Sequence, residues 1–227
     1  MRAMILAAGR GERMRPLTDT RPKPLLEVGG KPLIQYHVEA LGQAGVRDIV
    51  INLAWQGDLI RRALGDGKRF GVQIRYSDEP EGALETGGGI LAALPLLGPG
   101  PFLVISGDIW SDFALASCID RLAVDDVAHF VVAPNPSFHG QGDFGLEGGR
   151  LVDRAPRFTY ANIGVLRAEF FAGRQPGRFA LAPLMLEWIR QGRVSGELFQ
   201  GRWHNLGTPM QLAQLDAELR ASRPDAS

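Results

Sequence analysis

A chain of 227 residues that is 45% hydrophobic and 22% charged can bury one substantial core. Its formal net charge is zero, which excludes a general attraction to nucleic acid or an anionic membrane, so charge must be read loop by loop. A single cysteine, Cys118, excludes an intramolecular disulfide and a multi-cysteine metal cluster, and no apolar run approaches the ~20 residues of a membrane span.

In chain order, residues 3–7 (AMILA) read as a buried strand, followed by a loop rich in glycine, arginine and proline. Residues 31–45 carry a helical stripe of Leu33, Ile34, Val38 and Leu41 and close on Gly45. Residues 47–54 form a β-branched strand, 56–65 a short helix, and 72–77 an alternating strand. Residues 86–97 open on glycines and turn helical, and 101–108 form a strand. The spacing over 113–122 predicts an amphipathic helix that buries Cys118, and 126–134 reads as a further strand. Strands alternating with helices imply a mostly parallel sheet covered on both faces.

The second half is less regular. Residues 142–155 read as a hairpin turning at Gly148-Gly149, and 158–167 as a strand. Residues 179–192 carry a helical stripe of Leu181, Leu184, Met185, Trp188 and Ile189. A short strand then meets a helix starting near Thr208-Pro209, an N-cap followed by a first-turn proline, and "ASRPDAS" reads as a frayed tail. No Pro/Gly/Ser linker divides the halves, so residues 1–227 read as a single domain. The direct start on a strand, without a secretory pattern, leads to the expectation of a cytoplasmic protein.

The loop after the first strand is the most informative stretch. Ligands of open α/β sheets sit beyond the carboxyl ends of the strands. Gly9 and Gly11 let backbone N–H groups approach phosphate oxygens, and Arg10, Arg13, Arg15 and Lys23 add full charges. Prolines on either side of Lys23 stiffen its approach. A P-loop would need a Gly-Lys-Ser/Thr ending, which is missing. A dinucleotide fingerprint would need a third glycine where Met14 stands, and an acidic end to the second strand, which instead reads Asn52-Leu53-Ala54. No nucleophile–base pair is evident, and His37, His129, His139 and His204 form no local ligand motif.

The segment "LAAGRGERMRPLTDTRPKPLLEVGGKPLI" resembles the signature of the sugar-1-phosphate nucleotidyltransferases, a glycine-rich loop followed by a spaced P-K-P-L. "ETGGG" (85–89), "ISGD" (105–108) and "NLGTP" (205–209) resemble later landmarks of that family. The resemblance implies a Rossmann-like three-layer α/β/α sandwich with a mixed, mostly parallel sheet. It implies attack of a sugar 1-phosphate on the α-phosphorus of a nucleoside triphosphate, assisted by Mg²⁺, with release of pyrophosphate.

By motif position, Leu6, Ala7, Ala8, Gly9 and Gly11 would hold the nucleotide. Arg13 would bind the β/γ-phosphates and Lys23 the reacting ones. Thr86, Gly87 and Gly88 would approach the base, with Asn52 and, more weakly, Glu81 as further candidates. Asp143 and Asn162 would meet the sugar. Asp108 and Asn205 would hold the metal, Asn205 standing where the family usually has an aspartate. "INLAW", "LETGGG", "GDF" and "SGE" resemble members that uridylylate N-acetylmuramic acid 1-phosphate in cell-wall sugar recycling. Transfer from GTP to a mannose or heptose 1-phosphate, and a non-catalytic nucleotide-binding regulator, stay open. No hexapeptide repeat suggests an added β-helix, and oligomeric state is not legible.

Overall fold

The first strand shows how the layers arise. In β1 (Arg2–Leu6), Ala3 and Ile5 join one apolar cluster and Met4 the other, and all three are buried. A strand covered on both faces requires this. The structure, a computed structural model, describes residues 1–222, so most of the expected tail lies outside the described residues.

After the basic loop, a small hairpin of β2 (Glu27–Val28) and β3 (Lys31–Pro32) leads into α1 (Leu33–Gln43). A regular alternation follows: β4 (Asp48–Leu53), α2 (Gly57–Leu64), β5 (Gln73–Asp78), α3 (Glu85–Leu97) and β6 (Phe102–Ser106). Next come β7 (Ile109–Ser111), β8 (Ala128–Ala133), the hairpin β9 (Phe144–Glu147) and β10 (Arg150–Val152), and β11 (Arg157–Leu166). The chain continues through α4 (Leu181–Arg190), β12 (Val194–Leu198), β13 (Trp203–Asn205) and α5 (Pro209–Ala221). Gly148 and Gly149 turn the hairpin with φ of 54° and 78°, the paired positive values that match strand twist. Thr208 caps α5, its hydroxyl accepting from Gln211 N–H at 3.3 Å, with Pro209 in the first turn.

One nine-stranded sheet runs in the order β5-β4-β1-β6-β11-β8-β12-β10-β9. The block β5-β4-β1-β6 is parallel. β11 reverses direction between β6 and β8, β12 runs parallel to β8, and the β9-β10 hairpin closes the edge. The sheet is therefore mixed. α1 and α2 cover one face with Ile34, Val38, Leu41, Ile60 and Leu64, while α3 and α4 cover the other with Ile90, Ala93, Leu181, Leu184 and Met185. The result is the expected three-layer α/β/α sandwich. α5 packs apart from these layers, its Leu215 joining Val28, Leu33, Trp110 and Leu206.

Two expectations need correction. The segment 113–122 forms only a 3₁₀ turn, Leu115–Cys118, with successive i→i−3 bonds such as Ser117 N–H to Ala114 O at 2.8 Å. In a 3₁₀ turn side chains three apart eclipse, so Leu115 and Cys118 can both enter the core under the sheet. Tertiary burial overrode the helical period, although Cys118 is buried as expected. The strands β12 and β7 were not foreseen, because "VSGEL" carries few apolar residues and "IWS" is too short for a strand signal, whereas β13 is the short strand expected before the last helix.

Candidate active site

Register positions the site. Leu6, the last residue of β1, lies beside Asn52 of β4 and Ser106 of β6 at the carboxyl edge of the parallel block. A cavity of about 410 Å³ opens there. Its wall includes Leu6, Ala7, Ala8, Gly9, Gly11, Arg13, Lys23, Asn52, Thr86 and Asp108, so most of the expected nucleotide and phosphate residues are brought together.

Gly11 adopts φ 68°, a left-handed conformation, and its carbonyl accepts a hydrogen bond from the Thr18 hydroxyl at 2.8 Å. A Cβ at Gly11 would sit 3.2 Å from Lys23 Cβ. Glycine thus allows both the turn and the close approach of the lysine. Pro22 is extended (φ −65°, ψ 144°), and Lys23 opens a 3₁₀ turn, Lys23–Leu25, that Pro24 continues. The extended stiffness expected at Lys23 resides one residue earlier. The Lys23 ammonium is buried and donates to Asp108 Oδ2 at 2.8 Å. Arg13 is exposed and makes no hydrogen bond or ion pair among the described residues.

Beneath the cavity lies a buried polar chain. Asn52 Oδ1 accepts from Ala7 N–H at 2.8 Å, and Asn52 Nδ2 donates to Glu79 Oε1 at 2.7 Å. Glu79 Oε2 accepts from Leu84 N–H at 2.7 Å. Asn52 and Glu79 are both 3% exposed. Asn52 therefore lines the cavity with its polar atoms already engaged, and ties the loop after β1 to the turn before α3. The carboxylate that matters near this turn is Glu79 rather than Glu81, which is exposed and does not line the cavity. A signal existed: Glu79 directly follows β5, where strand-end residues point into the ligand edge.

Thr86 reaches the cavity wall, but Gly87 and Gly88 do not. Their N–H groups donate to Phe179 O at 3.0 and 3.1 Å. A Cβ on Gly88 would lie 2.1 Å from Gly177 O, so these glycines serve the close packing of α3 on the 177–179 segment. Glu85, ahead of them, takes φ 61° and pairs with Arg178 at 3.0 Å.

A second cavity, also about 410 Å³, lies between β9, β11 and α4. Asp143, Asn162 and Asn205 all line it, together with His139, Tyr160 and the same Arg13. Asn162 stands at φ 60° where the β11–β8 register shifts, a bulge that re-aims its side chain. Asparagine tolerates that conformation better than most residues. Asp143 accepts from Tyr160 N–H at 2.8 Å and meets His139 Nε2 at 3.0 Å. His139 belongs to no local ligand motif in the sequence; its spacing of four from Asp143 was the available signal.

Asp108 and Asn205 are brought to adjoining strand ends: Asn205 pairs with Ile109, and Leu206 N–H donates to Asp108 O at 3.0 Å. Among the described residues no group of three or more His, Cys, Asp or Glu forms a metal cage. One carboxylate and one amide oxygen form a hard but open donor set. That set fits a Mg²⁺ ion that keeps waters and substrate phosphates as its other ligands.

Three buried titratable groups, His37, Cys118 and His129, line neither cavity. Burial holds the His37 pKa at about 4, and its Nε2 is unpartnered. Burial pushes the Cys118 thiol up to about 12 and lowers His129, which lies between Ser195 and Glu197.

The family model described as nucleotidyl transferase matches residues 2–141. The chain belongs to the nucleotidyltransferase family. It is 48% identical to the N-acetylmuramate alpha-1-phosphate uridylyltransferase of Neisseria meningitidis serogroup B, over 96% of this chain and 97% of that one. The corresponding Caulobacter vibrioides enzyme is 39% identical, with 96% of each chain covered. A mannose-1-phosphate guanylyltransferase catalytic subunit beta from Danio rerio is more distant, 30% identical, and the match covers only 62% of it. Among solved structures, a Bacillus anthracis chain described as a glucose-1-phosphate thymidylyltransferase matches with TM-score 0.86 at 20% identity, covering 99% of this chain and 97% of that one. A Yersinia pseudotuberculosis protein complexed with GMP-PN matches with TM-score 0.77 at 19% identity, covering 96% and 98%. At these identities the likeness is one of fold. No helix among the described residues is long and apolar enough to cross a membrane.

Proposed function

We propose that this chain transfers a uridylyl group from UTP to N-acetylmuramic acid 1-phosphate, releasing pyrophosphate, as a single catalytic domain of the cytoplasm. The observation that carries the reading is Arg13. One arginine, without an ion-pair partner among the described residues, lines both cavities. A triphosphate in the first and a sugar phosphate in the second would bring their phosphates together at its guanidinium.

The first difficulty of the reaction is repulsion between two anions, so positioning and positive charge do most of the work. Backbone from Leu6 to Gly11 holds the nucleotide on the floor that Asn52 and Glu79 stiffen. Arg13 neutralises the departing pyrophosphate. Lys23, delivered by the proline-flanked turn, leaves Asp108 for the phosphate under attack. The sugar phosphate oxygen attacks the α-phosphorus in line with the leaving oxygen, and no protein nucleophile takes part. Asp108 and Asn205 would hold Mg²⁺, which supplies charge neutralisation at phosphate oxygens. Asn162 on its bulge faces the sugar.

The test is a pyrophosphate-release assay over four nucleoside triphosphates and a panel of sugar 1-phosphates. UTP with N-acetylmuramic acid 1-phosphate is expected to give the highest kcat/KM. Lys23→Met should lower it by about 10²–10³-fold, the range for removing one charge-stabilising donor. Release with no pair at all refutes the reading.

A further inference from the structure

The second cavity offers two side chains that can be cationic, Arg13 and His139, beside one carboxylate, Asp143. Arg13 is shared with the triphosphate side, where the reacting phosphates gather. A sugar phosphate with an additional carboxylate brings one more negative charge than Arg13 is placed to meet. His139 is the other basic side chain in the wall of this cavity. It ends a 3₁₀ turn, Ser137–His139, and its Nε2–H donates to Asp143 Oδ1 at 3.0 Å. The other Asp143 oxygen accepts from Tyr160 N–H at 2.8 Å, so the ring is held by a carboxylate itself pinned to β11.

With Nε2 so engaged, Nδ1 has no partner among the described residues, and the imidazole is 39% exposed. Nδ1 is thus the ring nitrogen left to meet a ligand. The preceding residue, Phe138, lines the same cavity and is 58% exposed. The lactyl ether of a muramic acid, –O–CH(CH₃)–COO⁻, presents a methyl group and a carboxylate side by side. Phe138 and His139 offer an apolar surface and a cationic donor in the same order. A charge-assisted hydrogen bond is the contact that separates such a sugar from its neutral parent.

We infer that His139 is the specificity-determining residue that recognises a carboxylate-bearing side arm on the sugar, with Asp143 positioning its ring. This rests on the sugar 1-phosphate reading above and deepens it, since Asp143 then acts on the sugar through His139 rather than directly.

The experiment is steady-state kinetics with UTP and two acceptors: N-acetylmuramic acid 1-phosphate, and N-acetylglucosamine 1-phosphate, which lacks only the lactyl ether. The readout is the ratio of the two kcat/KM values. His139→Gln keeps a donor toward Asp143 but removes the charge. It is expected to lower the ratio about tenfold, mainly through a higher KM for the acidic sugar, the scale of one charged hydrogen bond. His139→Arg should restore part of the ratio. A ratio that His139→Gln leaves unmoved overturns the inference. Turnover of neither acceptor by the wild-type protein overturns instead the sugar 1-phosphate reading.

Discussion

Asn52→Asp is a sharp test of the buried chain that links the loop after β1 to the turn before α3. The new carboxylate would still accept from Ala7 N–H, but it would turn an oxygen toward Glu79 Oε1 where Asn52 Nδ2 now donates at 2.7 Å. Two carboxylates about 3 Å apart repel by about 5–6 kcal/mol at an effective dielectric of ~20. Protonating one carboxyl of ordinary pKa, about 4, costs only about 4 kcal/mol at pH 7. The pair would therefore take up a proton, and the protonated Asp would donate to Glu79 as asparagine does. The folded-state pKa of the pair is then raised above its unfolded value. Stability is lost as pH rises above the unfolded pKa, and regained on acidification.

The expected loss relative to wild type is about 4 kcal/mol at pH 7 and about 1.4 kcal/mol at pH 5, a change of about 1.4 kcal/mol per pH unit. Urea denaturation of both proteins at pH 5, 6 and 7 measures it. Adding Glu79→Gln, which swaps donor and acceptor, should recover most of the loss at pH 7. A loss below about 1 kcal/mol at pH 7, or one that does not change with pH, refutes the reasoning.

Three other predictions concern different parts of the molecule. His37, with its pKa held at about 4 against an ordinary 6.5, binds its proton more readily in the unfolded chain; between pH 6.5 and 4 it should remove about 3 kcal/mol of stability, and His37→Leu should flatten that acid limb in urea titrations. Cys118, fully buried with its thiol pushed up to about 12, should resist iodoacetamide at pH 8 in the folded protein and react fully in denaturant, so rapid native labelling would contradict its placement. Asn205→Asp adds a charge beside Asp108 and should lower the Mg²⁺ concentration for half-maximal rate about tenfold, as ~1.4 kcal/mol of charge-assisted ligation implies; an unchanged value would place Asn205 away from the metal.

Much of this architecture was legible because it is local. The strand-to-loop transition at Leu6, the left-handed turn at Gly11, the Gly148-Gly149 hairpin and the Thr208-Pro209 helix start are each written in a few adjacent residues. What was illegible depends on distant partners. Nothing in "TGGG" says that Gly87 and Gly88 give their N–H groups to Phe179, ninety residues away, rather than to a base. Nothing in "DIVINLA" says that Asn52 spends both ends of its amide on Ala7 and Glu79. The apolar spacing over 113–122 suits a helix, and only the sheet above it makes a 3₁₀ turn the better way to bury Leu115 and Cys118. β12 belongs to the same class, since its apolar content is low and its place beside β8 exists only after β8 has formed.

The Lys23–Asp108 contact couples the fates of two opposite charges. With the lysine and the carboxylate facing each other at 2.8 Å, the two charges offset one another. Each group is the other's understudy, the ammonium filling in for a cation and the carboxylate for a phosphate. Both leave their posts at little cost only when both replacements come together. A bare triphosphate would release the lysine and leave Asp108 facing its own kind of charge. A bare cation would strand a buried ammonium. On the function proposed above, a nucleotide that already carries its metal would replace both partners of this contact at once.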